Sequence, residues 1–255
     1  MTVQAQPVLE CAGLTRMFGG LCAVDKVDLA VAGGSVHAVI GTNGAGKSTL
    51  LNMLAGELAP SRGVVRLRGE PITHLSQPHR ARAGVGRTYQ RNTLFEELSV
   101  YENIRLAGQS LMQAPWKVFT CADACGETNG RALRAARLAG LEDVLRTPAR
   151  VLSHGQKRQL EIAMCLAHEP SVLLLDEPLA GMGPQESERM LALLMALKAD
   201  HAIVLVEHDM SAVFQVADRV TVMVNGAVIA SDEPEGIRRH PAVIAAYLGD
   251  EHAAE

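Results

Sequence analysis

The stretch Gly41-Thr-Asn-Gly-Ala-Gly-Lys-Ser-Thr49 decides how this chain folds. From Gly41 to Ser48 it fits the pattern G-x-x-x-x-G-K-[ST], whose backbone N–H groups point inward around a polyphosphate. Lys47 adds a positive charge near the β- and γ-phosphates, and the hydroxyl of Ser48 is placed to ligate Mg²⁺. The pattern therefore predicts a loop that binds the phosphates of a nucleotide and the metal ion that accompanies them.

The residues on both sides of this loop have the character that such a loop requires. Residues 36–40 are an apolar run typical of a buried strand, and residues 48–55 have the composition of a helix. Gly41, Gly44 and Gly46 tolerate the dihedral angles of a loop that closes around phosphate. The other loop residues that we expect to contact the nucleotide are Thr42, Asn43, Ala45 and Thr49. The plainer alternative is a glycine-rich turn with no ligand.

Three apolar runs end in polar residues in the same way. Residues 36–40 lead into the phosphate loop, residues 172–175 into Asp176-Glu177, and residues 202–206 into Glu207-His208. Continuous apolar strands that alternate with helices predict a parallel sheet covered on both faces. Ligands of such sheets bind beyond the carboxyl ends of the strands. We therefore expect the three polar endings to converge on one site.

These polar endings carry the residue types that phosphate hydrolysis needs. Asp176 is predicted to hold Mg²⁺ through its water shell. The adjacent Glu177 suggests a general base for an attacking water, and therefore hydrolysis rather than transfer to an acceptor. His208 is a candidate to contact the γ-phosphate. The alternatives are two carboxylates that cap the next helix and a structural histidine at a strand end.

A second candidate anion site opens the helix that begins near residue 153. Ser153 and Gly155, in Leu152-Ser-His-Gly-Gln156, leave backbone N–H groups unpaired at the helix start. Because the chain already has a phosphate loop, a second such segment suggests use in trans, across a dimer. The alternative is ordinary helix capping.

Composition bounds the class of protein. The net charge of -4 and the pI of about 6.1 argue against a general nucleic-acid-binding surface. Five cysteines without metal-ligand spacing suit a reducing compartment. The N-terminus does not resemble a signal peptide, and no apolar run approaches the length that spans a bilayer. We expect a cytoplasmic protein that associates with a membrane only through a partner.

Taken together, these motifs resemble the nucleotide-binding subunits of ABC transporters. The phosphate loop, Gln90, the 152–156 segment, the strand ending in Asp176-Glu177 and His208 occur in that family's order and approximate spacing. The segments 87–95, 155–162, 207–210 and 246–250 look like the ATPases of branched-chain amino-acid importers, and the urea and short-amide importers are similar. The resemblance covers nearly the whole chain.

The resemblance implies one α/β domain of the P-loop NTPase (RecA-like) class over residues 1–255. Its parallel-sheet core and a small antiparallel β subdomain would occupy residues 1–92 and 151–255. A helical subdomain would be inserted at residues 93–150. We expect helices there at 98–111, 130–139 and 141–145, and a last helix near 234–248.

The resemblance also implies a head-to-tail dimer that encloses two ATP molecules with Mg²⁺. Ser153 and Gly155 of one subunit would meet the γ-phosphate held by Lys47 of the other, and Gln156 would also belong to the nucleotide-binding residues. Gln90 would join Mg²⁺ and the attacking water to the helical insertion. Phe18 would stack on adenine.

The partners that the resemblance implies are permease subunits, a second ATPase subunit that is identical or different, and indirectly an external solute-binding protein. The surface near residues 91–95 would receive a helix of the permease. Two positions depart from the family pattern: His154 stands where Gly is commonest, and Gly183 replaces the usual Asp of the loop that crosses the dimer. The alternatives are the ATPase of a lipid exporter and a soluble ABC ATPase that acts outside transport.

Overall fold

A computed structural model of the chain describes residues 6–88, 94–109 and 126–251, and these ranges form two sheets with helices around them. In chain order the strands are β1 (Pro7–Phe18), β2 (Leu21–Ala32), β3 (Val36–Gly41), β4 (Arg62–Leu67), β5 (Glu70–Pro71), β6 (Val85–Arg87), β7 (Val172–Asp176), β8 (Ala202–Val206), β9 (Arg219–Val224) and β10 (Ala227–Asp232). The helices are α1 (Lys47–Ala55), α2 (Gln77–Ala83), α3 (Val100–Gln109), α4 (Gly126–Leu138), α5 (His154–Leu166), α6 (Pro184–Leu197), α7 (Met210–Val216), α8 (Pro234–Arg238) and α9 (Pro241–Glu251). None of the helices in these ranges is long and apolar enough to cross a membrane.

The larger sheet has six strands in the order β10-β9-β3-β8-β7-β6. All neighbouring pairs are parallel except β9 and β10, which form a hairpin. Every residue of β3, β7 and β8 is buried, as expected for strands with helices on both faces. The predicted parallel sheet is confirmed, and the carboxyl ends of its three central strands lie side by side.

The smaller sheet is antiparallel, in the order β2-β1-β4-β5. Its long hairpin is paired up to Phe18 and Leu21, so only Gly19 and Gly20 form the turn. From the sequence alone, residues 8–14 and 23–31 have the character of strands, and both observed strands are longer than these ranges. The strands are longer because their residues remain paired across the hairpin up to the Gly-Gly turn. Local composition does not reveal this pairing.

The helices α3, α4 and α5 pack on one another through a shared apolar cluster that includes Val100, Ile104, Ala136 and Leu160. Two of the predicted helices lie near α3 and α4. The third, at 141–145, is wrong: only a single 3-10 turn forms there, at Glu142–Val144. The boundaries of the helical insertion stay a prediction.

The predicted last helix near 234–248 is also wrong as a single element. The structure has α8 and α9, separated at Arg239 and His240. Pro241 disfavours a helical conformation of the preceding residue and lacks an N–H to continue the helix. The chain therefore starts a new helix at Pro241.

The hairpin β1–β2 approaches the phosphate loop at its backbone. Gly46 has φ of 97°, and a Cβ atom added there would lie 2.3 Å from the carbonyl oxygen of Ala23 in β2. Gly44 also has a positive φ, 80°, but a Cβ atom there meets nothing within 4 Å. A side chain at residue 46 would therefore suffer both backbone strain and a clash, whereas a side chain at residue 44 would suffer only the strain.

We predict that Gly46→Ala lowers the free energy of unfolding by about 3 kcal/mol or more, because strain and a backbone clash add. Gly44→Ala, which carries only the strain, should lower it by about 1 kcal/mol. Denaturant unfolding of both variants measures the difference. Equal losses would show that the approach of Ala23 to the loop does not constrain residue 46.

His37 links the two sheets inside the core. Its Nε2 lies 2.7 Å from Thr221 Oγ1 and its Nδ1 lies 3.2 Å from the carbonyl oxygen of Ala30. Burial lowers the pKa of His37 from 6.5 to about 4. Between these values the unfolded chain binds a proton that the folded chain does not, so folding is weakened as the pH falls through this window.

We predict that the free energy of unfolding falls by about 2 kcal/mol when the pH is lowered from 7 to 5, because His37 takes up a proton only in the unfolded chain. Comparing denaturant unfolding at the two pH values in the parent chain and in His37→Gln isolates the contribution, since the variant should lose that much of the pH dependence. The exposed His74, changed to Gln, serves as the matched control and should keep the parent's pH dependence. An unchanged pH dependence in His37→Gln would contradict the assignment.

Candidate nucleotide site

The phosphate loop is fixed from three sides. It leaves β3 at Gly41, where a Cβ atom would lie 2.1 Å from the carbonyl oxygen of Met223 in β9. The N–H of Ala45 donates to the carbonyl of Thr42 at 3.1 Å, and the carbonyl of Ala45 accepts from the N–H of Gly226 at 3.1 Å. Two neighbouring hairpins and β3 therefore constrain the conformation of the loop.

The loop ends in a helix start that has no side-chain cap. Gly46 is the N-cap residue of α1 and, because it has no side chain, makes no capping hydrogen bond to the first N–H groups of this helix. Such groups at a helix N-terminus, together with the helix dipole, favour an anion. Asn43, Gly44 and Ser48 are exposed beside them, and Thr49 is half-buried. Several of the predicted phosphate contacts are thus accessible, whereas Gly41, Ala45 and Lys47 of the same loop are buried.

Lys47 lies at the centre of the site. Its side chain is buried, and Nζ donates to the carbonyl oxygens of Gly41 at 2.7 Å and Thr42 at 3.0 Å. Burial lowers the pKa of Lys47, and the carboxylates of Glu177 and Asp176 act in the opposite direction. The structure therefore brings the cation of the loop and the two predicted carboxylates together.

Asp176 ends β7 and is only 3% exposed. Its Oδ1 is buried without a hydrogen-bond partner among the described residues. Burial raises the pKa of Asp176, and the guanidinium of Arg87 is the strongest influence that opposes this. A buried carboxylate oxygen without a donor is costly unless something else satisfies it, and the hydrated Mg²⁺ of a nucleotide would do so. Asp176 and Ser48 therefore fit the predicted metal.

The protein offers few ligands beyond these two. Within the described ranges, no group of three or more His, Cys, Asp or Glu side chains could hold a metal ion alone. Mg²⁺ commonly keeps several waters and binds through one or two carboxylates together with substrate phosphates. The donor set fits a metal that arrives with a nucleotide.

Glu177 adopts an uncommon backbone conformation. Its φ is 48°, in the left-handed region, and its N–H donates to the carbonyl of Val206 at the end of β8 at 2.9 Å. Non-glycine residues in this region cost free energy and cluster at functional sites. The bond to the adjacent strand holds Glu177 in the turn that follows Asp176, where its charge acts on Lys47.

Glu207 is a site residue whose role the sequence did not reveal. Its side chain is fully buried, and its two oxygens accept hydrogen bonds from the N–H groups of Leu179 at 2.8 Å and His208 at 3.1 Å. Burial raises the pKa of Glu207, and these hydrogen bonds oppose the change. It braces the turn after Glu177 against the end of β8. The only signal in the sequence was a carboxylate that directly follows an apolar strand.

His208 and Phe18 stand at the edges of the site. The His208 side chain is 63% exposed, with Nδ1 3.6 Å from Glu207 Oε2. Phe18 is 45% exposed at the tip of the β1–β2 hairpin, and the guanidinium carbon of Arg16 lies 4.6 Å from the centre of its ring. Both side chains are free to meet a ligand on their open sides.

The second candidate anion site lies at the start of α5. Ser153 is the N-cap residue and forms a capping box with Gln156: Gln156 N–H donates to Ser153 Oγ at 3.2 Å, and Ser153 N–H donates to Gln156 Oε1 at 3.0 Å. Ser153, Gly155 and Gln156 line a shallow hollow with residues of α6, and none of its lining residues belongs to the phosphate loop. Their predicted contact with a γ-phosphate therefore requires a nucleotide that is held by another subunit.

The other predicted residues have mixed outcomes. Gln90, predicted to ligate Mg²⁺ and to be catalytic, lies outside the described residues, as do positions 91–93 of the predicted docking surface. His154 Nε2 lies 2.9 Å from the carbonyl oxygen of Ala180, three positions before Gly183. The two positions that depart from the family pattern, His154 and Gly183, are therefore close to one contact. Gly183 is the N-cap residue of α6. The individual roles of the site residues stay predictions.

Comparisons with known proteins agree with this geometry. The family described as ABC transporter matches residues 24–180, and the family described as branched-chain amino acid ATP-binding cassette transporter matches residues 227–253. The chain is 39% identical to the high-affinity branched-chain amino acid transport ATP-binding protein BraF of Pseudomonas aeruginosa, over 96% of this chain and 99% of that protein. It is 38% identical, with the same coverage, to the corresponding protein LivG of Escherichia coli.

Solved structures give the same result. A nucleotide-free ATP-binding cassette from an ABC transporter superposes with a TM-score of 0.85 at 28% identity, over 95% of this chain and 99% of that one. The ADP conformation of an ATP-binding cassette of an ABC transporter superposes with a TM-score of 0.84 at 28% identity, over 96% of this chain and 100% of that one. The predicted P-loop NTPase fold is thereby confirmed. With its phosphate loop and strand-end carboxylates, this chain belongs to the ABC transporter family, as one of its ATP-hydrolysing, ATP-binding subunits.

Proposed function

We propose that the chain powers an ABC importer for branched-chain amino acids or similar small solutes. One observation carries the ATPase part of this proposal: Lys47, Asp176 and Glu177 lie together beyond the carboxyl ends of β3 and β7, the two parallel strands on either side of β8. Full-length similarity to BraF and LivG, together with the branched-chain family match at 227–253, supports the choice of solute class.

The phosphate loop binds the triphosphate of ATP through the backbone N–H groups that precede and begin α1. Lys47 supplies the positive charge beside the β- and γ-phosphates. Phe18 stacks on adenine with the face of its ring that Arg16 leaves open. These contacts lie within one chain, so a monomer binds ATP.

The residues that follow β7 assist hydrolysis. Ser48 and Asp176 hold Mg²⁺, with Gln90 as the third predicted contact; when bound, the ion neutralises charge on the phosphate oxygens. Glu177 accepts a proton from the attacking water, and its position is fixed by the bond to Val206 and by the brace that Glu207 provides. His208 reaches the γ-phosphate from the end of β8.

Two copies, or one copy with a similar ATPase, complete each site. Ser153 and Gly155 lie apart from the phosphate loop of their own chain, in a hollow between α5 and α6. In a head-to-tail dimer their N–H and hydroxyl groups bind the γ-phosphate held by the other subunit. ATP binding then closes the dimer and hydrolysis reopens it.

Permease subunits convert this movement into import. A groove of about 190 Å³ runs between α2, β6 and α5, lined by Arg87, Glu161 and Cys165 among others. Phe95, at the start of the next described segment, is 55% exposed. We place the permease contact on this side of the chain, which would hold the subunit at the inner face of the membrane. An external binding protein would select the solute.

We predict that Glu177→Gln keeps ATP binding and lowers turnover by about 10²- to 10⁴-fold, the usual contribution of a general base. Phosphate release gives the turnover and calorimetry gives the affinity. Glu70→Gln, an exposed carboxylate in β5, is the matched control and should retain full turnover. Unchanged turnover in Glu177→Gln would remove Glu177 from the mechanism.

Lys47→Ala should abolish measurable ATP binding, because the phosphates lose the one buried cation of the loop. Calorimetry checks this directly. The surface residue Lys198, which pairs with Asp218 at 2.7 Å, is the control, and Lys198→Ala should bind ATP as the parent does. Parent-like affinity in Lys47→Ala would refute the assignment of the phosphate loop.

A further inference from the structure

The start of α5 is held by a carboxylate from another helix. Ser153 Oγ donates to Glu186 Oε1 at 2.8 Å, and the N–H of Gly155 donates to the same oxygen at 3.2 Å. Glu186 lies in the first turn of α6, more than thirty positions along the chain. A Cβ atom on Gly155 would lie 3.0 Å from the carboxyl carbon of Glu186, so the absence of a side chain there allows this approach.

These donors are the ones that the proposed function assigns to the γ-phosphate. A hydroxyl and a backbone N–H each have one hydrogen to donate. Ser153 and Gly155 therefore cannot serve Glu186 and a phosphate fully at the same time. The negative charge of Glu186 would in addition repel an arriving phosphate.

The contact belongs to a larger connection between the two helix starts. His154 Nε2 lies 2.9 Å from the carbonyl oxygen of Ala180, in the loop that leads to α6. That loop ends at Gly183, which has no side chain to cap the helix. The hydrogen bond from Ser153 lowers the pKa of Glu186, so the carboxylate is charged when it holds the α5 start.

We propose that Glu186 sets the affinity of the composite nucleotide site. In the separate chain its carboxylate occupies Ser153 and Gly155 in the place of phosphate. When the dimer closes, the γ-phosphate on the opposite subunit takes both donors and Glu186 withdraws. The inference rests on the proposed head-to-tail dimer. It adds that the contact of Glu186 with Ser153 and Gly155 must break in each subunit before the dimer can close.

A purely structural role for Glu186 makes the opposite prediction. An acidic residue in the first turn also stabilises α6 through its dipole and its free N–H groups. If this were its whole role, removing it would weaken the fold and leave dimerisation unchanged or weaker. The sign of the effect on dimerisation therefore distinguishes the two roles.

The test measures ATP-dependent dimerisation by sedimentation velocity in a chain that carries Glu177→Gln, so that ATP persists. Adding Glu186→Ala should make the dimer about threefold to thirtyfold tighter, because the contact of Glu186 with Ser153 and Gly155 no longer has to break in either subunit. Glu186→Gln, which keeps an acceptor but loses the charge, should give a smaller gain. Calorimetry on dilute protein should show the same ATP affinity of the monomer in every variant.

Glu188→Ala is the matched control, since Glu188 is exposed on the same helix, and it should dimerise as the parent does. If the parent dimerises and Glu186→Ala dimerises equally or less, the inference about Glu186 is overturned and the dimer stands. If parent and variants bind ATP but none dimerises, both the dimer and the inference fail. A variant that dimerises where the parent does not would support the inference strongly.

Discussion

The structure depends on the close approach of other backbone segments to the phosphate loop. The carbonyl of Ala23 lies against Gly46, the carbonyl of Met223 lies against Gly41, and the N–H of Gly226 bonds to the loop. These contacts come from the antiparallel sheet and from the β9–β10 hairpin. They hold the loop in a conformation that a free chain would not keep. The two sheets are thus joined at the loop that we propose binds the triphosphate.

From this fixed point the rest of the site follows from sheet geometry. Parallel neighbours β3, β8 and β7 end on the same side, so the loop, Glu207 and Asp176-Glu177 meet without long connections. Burial raises the pKa of Asp176 and of Glu207, and each is opposed by specific partners. Asp176 has one oxygen without a hydrogen-bond partner among the described residues, whereas the oxygens of Glu207 accept from the N–H groups of Leu179 in the turn and of His208. Two buried carboxylates therefore have different roles because their partners differ.

Much of this arrangement could be predicted from the sequence because the decisive signals are local. Buried parallel strands appear as continuous apolar runs, and the polar residues that end them mark one edge of the sheet. The break at Pro241 was also in the sequence, directly after Arg239 and His240, but a single helix was predicted across it. The full extent of β1 and β2 depends on cross-strand pairing, which composition does not show. The contact of Glu186 with Ser153 and the brace from Glu207 join residues far apart in sequence, so no local pattern indicates them.

The most direct measurement asks whether two incomplete chains can complete one site between them. Lys47→Ala removes nucleotide from its own loop but keeps the α5 start, whereas Ser153→Asp keeps the helix cap and places a negative charge against the phosphate. Each variant alone should be inactive. An equal mixture should recover about a quarter of the parent ATPase activity, because half of the dimers are mixed and each mixed dimer has one intact site of two. An inactive mixture, or full activity of Ser153→Asp alone, would contradict a site shared between subunits.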